Sequence, residues 1–328
     1  MTDRFRARLG RQLRNALGIT SLQEQVACID SALTDPTHPT AAMIGRIEHL
    51  NTLANTGAHP RRYRGPDQAV QHLLRLQYRN LIDTGRPLPP FGDIEMRFYS
   101  QNGEDGIIQL LVAAVETDTK RSVEICAGDG IECNTANLLV NHGWTGLLVD
   151  GGEELVTRGR EFYEWGPDTF SHPPTLRRAW VTAENVNQLV READFDGEID
   201  LLSLDLDGVD YWIWKALDCV RPRIVVAEFN DAWGPNESVT VPYDPQFAWQ
   251  PGSVYLGASL AAMCKLGAEK GYRLVGTQRY GFNAFFVRDD LAGDTLLTVK
   301  PEDCLGHPKA QGQMARLPEI EHLPWVHV

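Results

Sequence analysis

The chain has 328 residues and a formal net charge of −13 at pH 7, from 44 acidic and 31 basic residues. Its composition, 43% hydrophobic and 23% charged, is ordinary for a globular protein, and its length suits one domain with an accessory segment. Because an acidic protein repels polyphosphates, we expect no nucleic-acid partner. No apolar stretch approaches the ~20 residues needed to cross a bilayer, so we also expect no transmembrane segment.

The first 90 residues have the pattern of helices joined by prolines. We predict a helical N-terminal segment over 1–95, through which the protein could form a homo-oligomer, and a second domain over 96–328. A proline-rich link, Arg86 to Asp93, joins the two. Apolar residues at three- and four-residue spacing mark the helical patterns, at 21–34, 40–56 and 66–83.

The six cysteines indicate a reducing compartment. No pair has CxxC spacing and several lie in apolar runs, which favours free, buried thiols in a cytoplasmic protein. The first 18 residues carry five Arg. An organellar transit peptide and a partner-binding helix are both open interpretations of this start, although a solvated helix is the plainest one.

From about residue 96, short β-branched or apolar runs alternate with helical patterns. Such alternation predicts parallel strands with crossover helices, and two final runs around Gly281 predict a hairpin. The predicted fold is α/β, a Rossmann-like seven-strand sheet of the class I methyltransferase type, mostly parallel with a C-terminal antiparallel hairpin. The predicted strands are 122–126, 146–150, 175–181, 199–205, 223–229, 272–278 and 282–288, and the predicted helices are 133–142, 152–163, 184–193, 210–218 and 253–270.

A glycine-containing turn follows the first predicted strand. Gly128 and Gly130 would let the backbone take positive φ and approach a ligand. The GxGxxG motif of dinucleotide folds is absent, with Cys126 preceding the turn, which counts against a nicotinamide-dependent oxidoreductase. Asp150 ends the next strand about 20 residues on, where a carboxylate suits a ribose diol. Asp150 as a plain turn residue is the alternative.

The stretch from 97 to 291 resembles the FkbM-type methyltransferases, which use S-adenosylmethionine. Methyltransferases usually carry a glycine where Cys126 stands, so we expect altered cofactor affinity. The first 90 residues resemble no family. The matching stretches are YSQNGEDGII (99–108), VEICAGDGIECNT (123–135), GWTGLLVDG (143–151), WVTAENVNQL (180–189), IDLLSLDLDGVDYWIWKAL (199–217), RPRIVVAEFN (221–230), YLGASLAAMCKLGAEKGYRLVG (255–276) and NAFFVRDDL (283–291).

The resemblance implies a set of cofactor-binding residues. Ser100 and Gln101 would close over the methionine end, and Glu184 would lie near the adenine edge. An acid favoured at a helix N-terminus is the alternative for Glu184. The remaining implied contacts, to the methionine and ribose parts, come from Glu124, Gly128, Gly130 and Asp150.

Acidic residues follow the fourth and fifth predicted strands. Asp205, Asp207 and Asp210 come after one strand, and Glu228 and Asn230 after the next. Neighbouring strand ends meet at one rim of a sheet, and like charges there need protons or a cation for relief. Carboxylate and amide oxygens suit Mg²⁺, whereas the absence of His in this cluster argues against zinc.

Three interpretations of this cluster are open. In the first, Asp205, Glu228 and Asn230 hold Mg²⁺, which activates an acceptor hydroxyl. In the second, Asp205 or Asp207 is a metal-free base and Glu228 accepts a hydrogen bond from the substrate. In the third, Asp207 and Asp210 cap the following helix.

A long segment rich in aromatic residues and proline, 231–254, follows the fifth strand and has the character of a lid, with a loop packed on the core as the alternative. Together these features predict an S-adenosylmethionine-dependent O-methyltransferase acting on a hydroxyl of a glycan, glycolipid or secondary metabolite. N- or carboxyl methylation without metal is one alternative. A non-catalytic nucleoside-binding module, favoured by Cys126, is the other.

Overall fold

The structure is a computed structural model, and it describes residues 68–328. The predicted helical patterns at 21–34 and 40–56, the Arg-rich start and an oligomer contact through them lie outside the described residues. The predicted boundary at residue 95 stays a prediction.

One seven-stranded sheet organises the described chain, in the order β3-β2-β1-β4-β5-β8-β7. Strands β1 to β5 pair in parallel, whereas β8 runs antiparallel to both β5 and β7. This arrangement confirms the predicted mostly parallel sheet with a C-terminal antiparallel pair. The strands are β1 Arg121–Ile125, β2 Thr145–Asp150, β3 Thr175–Arg178, β4 Gly197–Leu204, β5 Val220–Glu228, β6 Val239–Thr240, β7 Tyr272–Thr277, β8 Asn283–Arg288 and β9 Val326–His327, with β6 and β9 forming a separate pair.

Helices pack on the sheet and on one another. The longest, α1, is amphipathic and packs against α3, whose residues are all buried. Within residues 68–328, no helix combines the length and apolarity needed to cross a membrane. The helices are α1 Gln68–Asp83, α2 Phe91–Ile94, α3 Glu104–Val115, α4 Ala136–His142, α5 Glu153–Trp165, α6 Val186–Arg191, α7 Asp210–Ala216, α8 Leu260–Glu269, α9 Pro301–Cys304, α10 Pro308–Met314 and α11 Leu317–Ile320.

Several elements differ from prediction, among them α9, α10, α11, β6 and β9, which were not predicted. Helix α3 was not predicted, because a helix buried on every side has no amphipathic stripe. The helix predicted from residue 253 begins only at Leu260, where the Ser259 hydroxyl accepts a hydrogen bond from the Ala262 amide and caps it. The third strand ends at Arg178 rather than at 181, because its partner β2 ends at Asp150, which pairs with Arg178.

Helix α5 approaches the turn after β1 so closely that only glycine fits at the contact. A Cβ atom on Gly159 would lie 2.2 Å from the Asp129 carbonyl oxygen and 2.4 Å from Leu176 Cδ2. Those two groups belong to the turn after β1 and to β3. Gly159 therefore sets the distance at which α5 supports the turn.

We expect Gly159→Ala to lower the free energy of unfolding by about 1–3 kcal/mol, because backbone must shift to admit the methyl group. Gly312→Ala is the matched control, since Gly312 is also helical and its added Cβ would meet nothing within 4 Å. That control should gain about 0.5–1 kcal/mol from helix propensity. Urea unfolding of both variants measures the difference, and equal effects would contradict the close contact.

Candidate functional site

The strand registers bring the predicted site residues to one rim of the sheet. One residue beyond the last β1 pairs, Cys126 lies between Asp150 on β2 and Asp205 after β4. The β4–β5 register likewise sets Asp205 beside Glu228, which pairs with Asn283 of β8. The rim is therefore a row of polar groups at the carboxyl ends of the parallel strands, where open α/β sheets bind ligands.

The turn after β1 has a glycine-type backbone at three positions. Cys126, Gly128 and Gly130 have φ of 62°, 59° and 68°. A Cβ on Gly130 would lie 2.6 Å from Leu148 Cδ1, whereas one on Gly128 would meet nothing within 4 Å. Gly128 therefore borders open space, and Cys126 adopts the conformation of the glycine usual at that position.

Asp150 braces this turn. Its Oδ2 accepts a hydrogen bond from the Gly128 amide at 2.9 Å, and its Oδ1 accepts one from the Gly152 amide at 2.7 Å. Each carboxylate oxygen has a second lone pair, and the side chain is partly exposed. Asp150 thus acts as a turn residue and also retains acceptor capacity toward a ribose diol.

Two predicted cofactor-binding residues have internal partners instead. Buried Glu124 accepts hydrogen bonds from the amides of Asn134 and Thr135, each at 2.9 Å, and from the hydroxyls of Thr135 and Ser203. The Ser100 hydroxyl donates to Asp105 Oδ2 at 2.9 Å and is fully buried. Both side chains hold loops in place, which differs from the direct ligand contact implied by the resemblance.

Asp105, which the sequence analysis missed, organises the loop that carries Ser100 and Gln101. Its Oδ2 accepts from three consecutive amides, those of Phe98, Tyr99 and Ser100, at 2.7–2.8 Å. Burial raises the pKa of Asp105 to about 6, although these hydrogen bonds oppose the shift. The loop is thereby fixed and leaves Gln101 exposed beside the rim. The sequence signal that could have identified Asp105 is an acidic residue directly after a polar stretch that contains glycine.

The structure brings three carboxylates together at the rim. Oxygens of Asp205, Asp207 and Glu228 lie within 4.8 Å of one another. Burial, and then the charge of Asp210, raise the pKa of Asp205 well above its usual range. Burial and then the charge of Asp205 raise the pKa of Glu228 in the same way, and its buried Oε2 has no hydrogen-bond partner among residues 68–328. The cluster therefore favours a bound proton or a cation.

Asp210 and Asn230 lie near the cluster but have other tasks. Asp210 accepts from the amides of Leu206 and Gly208 at 2.7 and 3.1 Å, which supports the capping interpretation for this residue. The Asn230 amide donates to two carbonyls of the following loop at 2.8 Å, and its Oδ1 accepts from the Ala232 amide. As a correction to the predicted ligand set, Asn230 braces that loop, and Asp207 completes the carboxylate group.

The segment 231–254 crosses the rim from the fifth strand toward the third. The Tyr243 hydroxyl donates to Glu184 Oε2 at 2.6 Å, and this hydrogen bond lowers the pKa of exposed Glu184. The Trp180 indole holds the carbonyl of Pro245 at 2.7 Å. The Phe247 ring packs directly on Gly208, since a Cβ added to Gly208 would lie 2.3 Å from that ring. The segment thus covers the turn after β4, while its role as a lid and the adenine role of Glu184 stay predictions.

Comparisons with known proteins give structural likeness only. No family model matches the chain, and no curated protein matches it. FkbM-type membership therefore stays a prediction. Among solved structures, the chain is similar to an O-methyltransferase from Bacillus cereus in complex with SAH, with 14% identity over 66% of this chain and 89% of that chain and a TM-score of 0.38.

Two further structures show a similar degree of likeness. The glycopeptide N-methyltransferase MtfA complexed with sinefungin shares 10% identity over 53% of this chain and 82% of that chain, with a TM-score of 0.34. A SAM-dependent methyltransferase from Aquifex aeolicus shares 10% identity over 56% of this chain and 89% of that chain, also with a TM-score of 0.34. Because these TM-scores are low, we assign the fold from the strand order of the chain itself.

We expect Cys126→Gly to be more stable than Cys126→Ala by about 1 kcal/mol, because a Cβ is unfavourable at left-handed φ. At ordinary backbone positions alanine is the more stable of the two. Thermal and urea unfolding of the two variants give the difference. A more stable alanine variant would show that the turn does not adopt positive φ at this position.

We expect Glu228→Gln to raise stability at about pH 8 by about 1–3 kcal/mol, with the gain vanishing near pH 4. The folded-state pKa of Glu228 lies above its usual 4.5, so the folded protein binds the proton more tightly, and wild-type stability falls as pH rises through this range. Urea unfolding across pH measures the effect, with exposed Glu164→Gln as the control. A gain that does not depend on pH would contradict this assignment.

Proposed function

We propose that the protein is an S-adenosylmethionine-dependent methyltransferase. The observation that carries the proposal is the order of groups along one sheet rim. An open glycine turn after β1 and Asp150 at the tip of β2 are followed directly by the carboxylates of Asp205 and Glu228 at the tips of β4 and β5. This order supports a nucleoside site next to an acceptor site.

The turn and the rim fit the cofactor in shape and charge. Gly128 borders open space, and Asp150 holds the Gly128 amide while retaining lone pairs for ribose hydroxyls. When bound, S-adenosylmethionine supplies a methyl group on a positively charged sulfonium. An acidic rim favours such a cation, whereas it would repel the pyrophosphate of a dinucleotide.

The carboxylates favour an acceptor that gives up a proton. A base works best when its pKa is near the operating pH, and burial moves the pKa of Asp205 and Glu228 in that direction. A hydroxyl or amine can donate to these oxygens, whereas an acceptor carboxylate would be repelled. We therefore favour methylation of a hydroxyl on a glycan, glycolipid or secondary metabolite, beneath the aromatic side chains of 231–254.

Two forms of acceptor activation fit the same residues. In the metal-free form, Asp205 or Asp207 removes the proton and Glu228 orients the acceptor. In the metal-assisted form, Asp205, Asp207 and Glu228 would hold Mg²⁺, a cation that prefers oxygen ligands and would lower the pKa of a bound hydroxyl. The unpartnered Glu228 Oε2 supports the second form.

We expect titration calorimetry to show binding of S-adenosylmethionine and none of NAD. Asp150→Ala should weaken that binding by about 1–3 kcal/mol, the scale of lost hydrogen bonds to a charged acceptor. Asp150→Asn, which retains one acceptor oxygen, should lose less. Exposed Asp168→Ala is the control and should bind as the wild type does. Binding of NAD without S-adenosylmethionine would eliminate the proposed function.

A further inference from the structure

We propose that Asn283 completes a divalent-cation site with Asp205, Asp207 and Glu228, in the role predicted for Asn230. This inference deepens the proposed function and rests on it for its catalytic meaning. It comes from a buried, unpartnered amide oxygen on a residue that pairs across the ladder with Glu228, whose Oε2 is in the same condition within residues 68–328.

The position of Asn283 follows from the sheet. Asn283 pairs with Glu228 across the antiparallel β5–β8 ladder. Directly opposed residues point to the same face, with Cβ atoms about 5 Å apart. Glu228 contributes an oxygen to the carboxylate cluster, so the Asn283 side chain lies on the face of the sheet where the cluster forms.

Hydrogen bonding sets the orientation of the Asn283 amide. Its Nδ2 donates to Glu104 Oε1 at 3.1 Å, and Glu104 Oε2 accepts from the Asn102 amide at 2.8 Å. In this arrangement Glu104 holds the amide nitrogen, so the Asn283 oxygen is left for another group. Glu104 is fully buried, which makes this arrangement rigid.

The free oxygens need a cation or a donor. Asn283 is 4% exposed, and within the described part of the chain neither its Oδ1 nor Glu228 Oε2 has a hydrogen-bond partner. A buried acceptor without a donor costs about 1–3 kcal/mol, so the protein retains these atoms against a stability penalty. A neutral amide oxygen beside carboxylates is a donor set suited to Mg²⁺ or Mn²⁺.

Asn230 is less suited to this role, because its Nδ2 donates to two loop carbonyls and its Oδ1 already accepts from the Ala232 amide. Four protein oxygens leave part of an octahedral shell open. The vacant positions would suit an acceptor that presents two neighbouring oxygens, such as a vicinal diol. This preference narrows the proposed acceptor to hydroxyls that have an oxygen-bearing neighbour.

Mn²⁺ titration by calorimetry and electron paramagnetic resonance tests the site without the acceptor or the cofactor. Wild-type protein should bind one Mn²⁺ per chain, and Asn283→Ala should bind it about tenfold more weakly. Glu104→Gln should weaken binding to a similar extent, because an amide at 104 can donate to Asn283 Oδ1 and turn it around. Asn230→Ala should leave the Mn²⁺ affinity unchanged.

Asn283→Asp separates a ligand from a merely structural residue. A carboxylate opposite Glu104 should lower the melting temperature without metal, yet it should keep or tighten Mn²⁺ binding and increase the stabilisation by Mn²⁺. Thermal unfolding of every variant identifies those that fail to fold.

Absence of Mn²⁺ binding in the wild type, or a loss caused by Asn230→Ala and not by Asn283→Ala, would overturn the proposal. Loss of Mn²⁺ binding in Asn283→Asp, if the variant folds, would overturn it as well. S-adenosylmethionine binding measured on the same samples tests the proposed function separately.

Discussion

The rest of the structure depends on the free-energy cost of gathering three carboxylates at one partly buried rim. The parallel register of β4 and β5 sets Asp205 beside Glu228, and burial disfavours charge on both. Such a cluster destabilises the fold at neutral pH unless a proton, a cation or a polar ligand relieves it. A sheet of this kind could place apolar residues at the same positions without that cost. The retained acids are therefore best explained by the chemistry of the rim.

The acids near the rim divide into two groups by their partners. Glu124, Asp105, Asp150 and Asp210 each accept at least two backbone amide hydrogen bonds, and each fixes a turn or the start of a helix. Asp205, Asp207 and Glu228 lie at the centre with few such partners. The first group provides a rigid frame, because satisfied buried polar groups hold a loop in one conformation. The second group is left with unused acceptor atoms. We therefore assign the chemistry to the second group, whose oxygens are not all used to hold the surrounding loops.

The glycine turn and the segment 231–254 define the two sides of this rim. Positive φ at Cys126 shows that the turn geometry is imposed by the surrounding packing, since a cysteine adopts it in place of glycine. On the other side, Tyr243 and Trp180 tie the segment to the loop after β3 through side-chain hydrogen bonds. The segment also carries β6, which pairs with β9, and its Val239 and Val241 are fully buried. The nucleoside side is thus rigid, and an anchored segment covers the acceptor side.

The sequence by itself determined the alternating strands and helices, the terminal hairpin and the glycine turn, because these follow from local periodicity. It also determined the grouping of Asp205, Asp207 and Glu228, because the ends of parallel strands share one edge of the sheet. Only the tertiary structure decided that β8 lies between β5 and β7, which brings Asn283 to the rim. It also decided that Asn230 braces a loop and that Glu124 is saturated internally. The physical reason is the same in each case. Packing of the whole chain determines which strands become neighbours and which distant residues form hydrogen bonds. Local sequence patterns therefore do not predict these pairings.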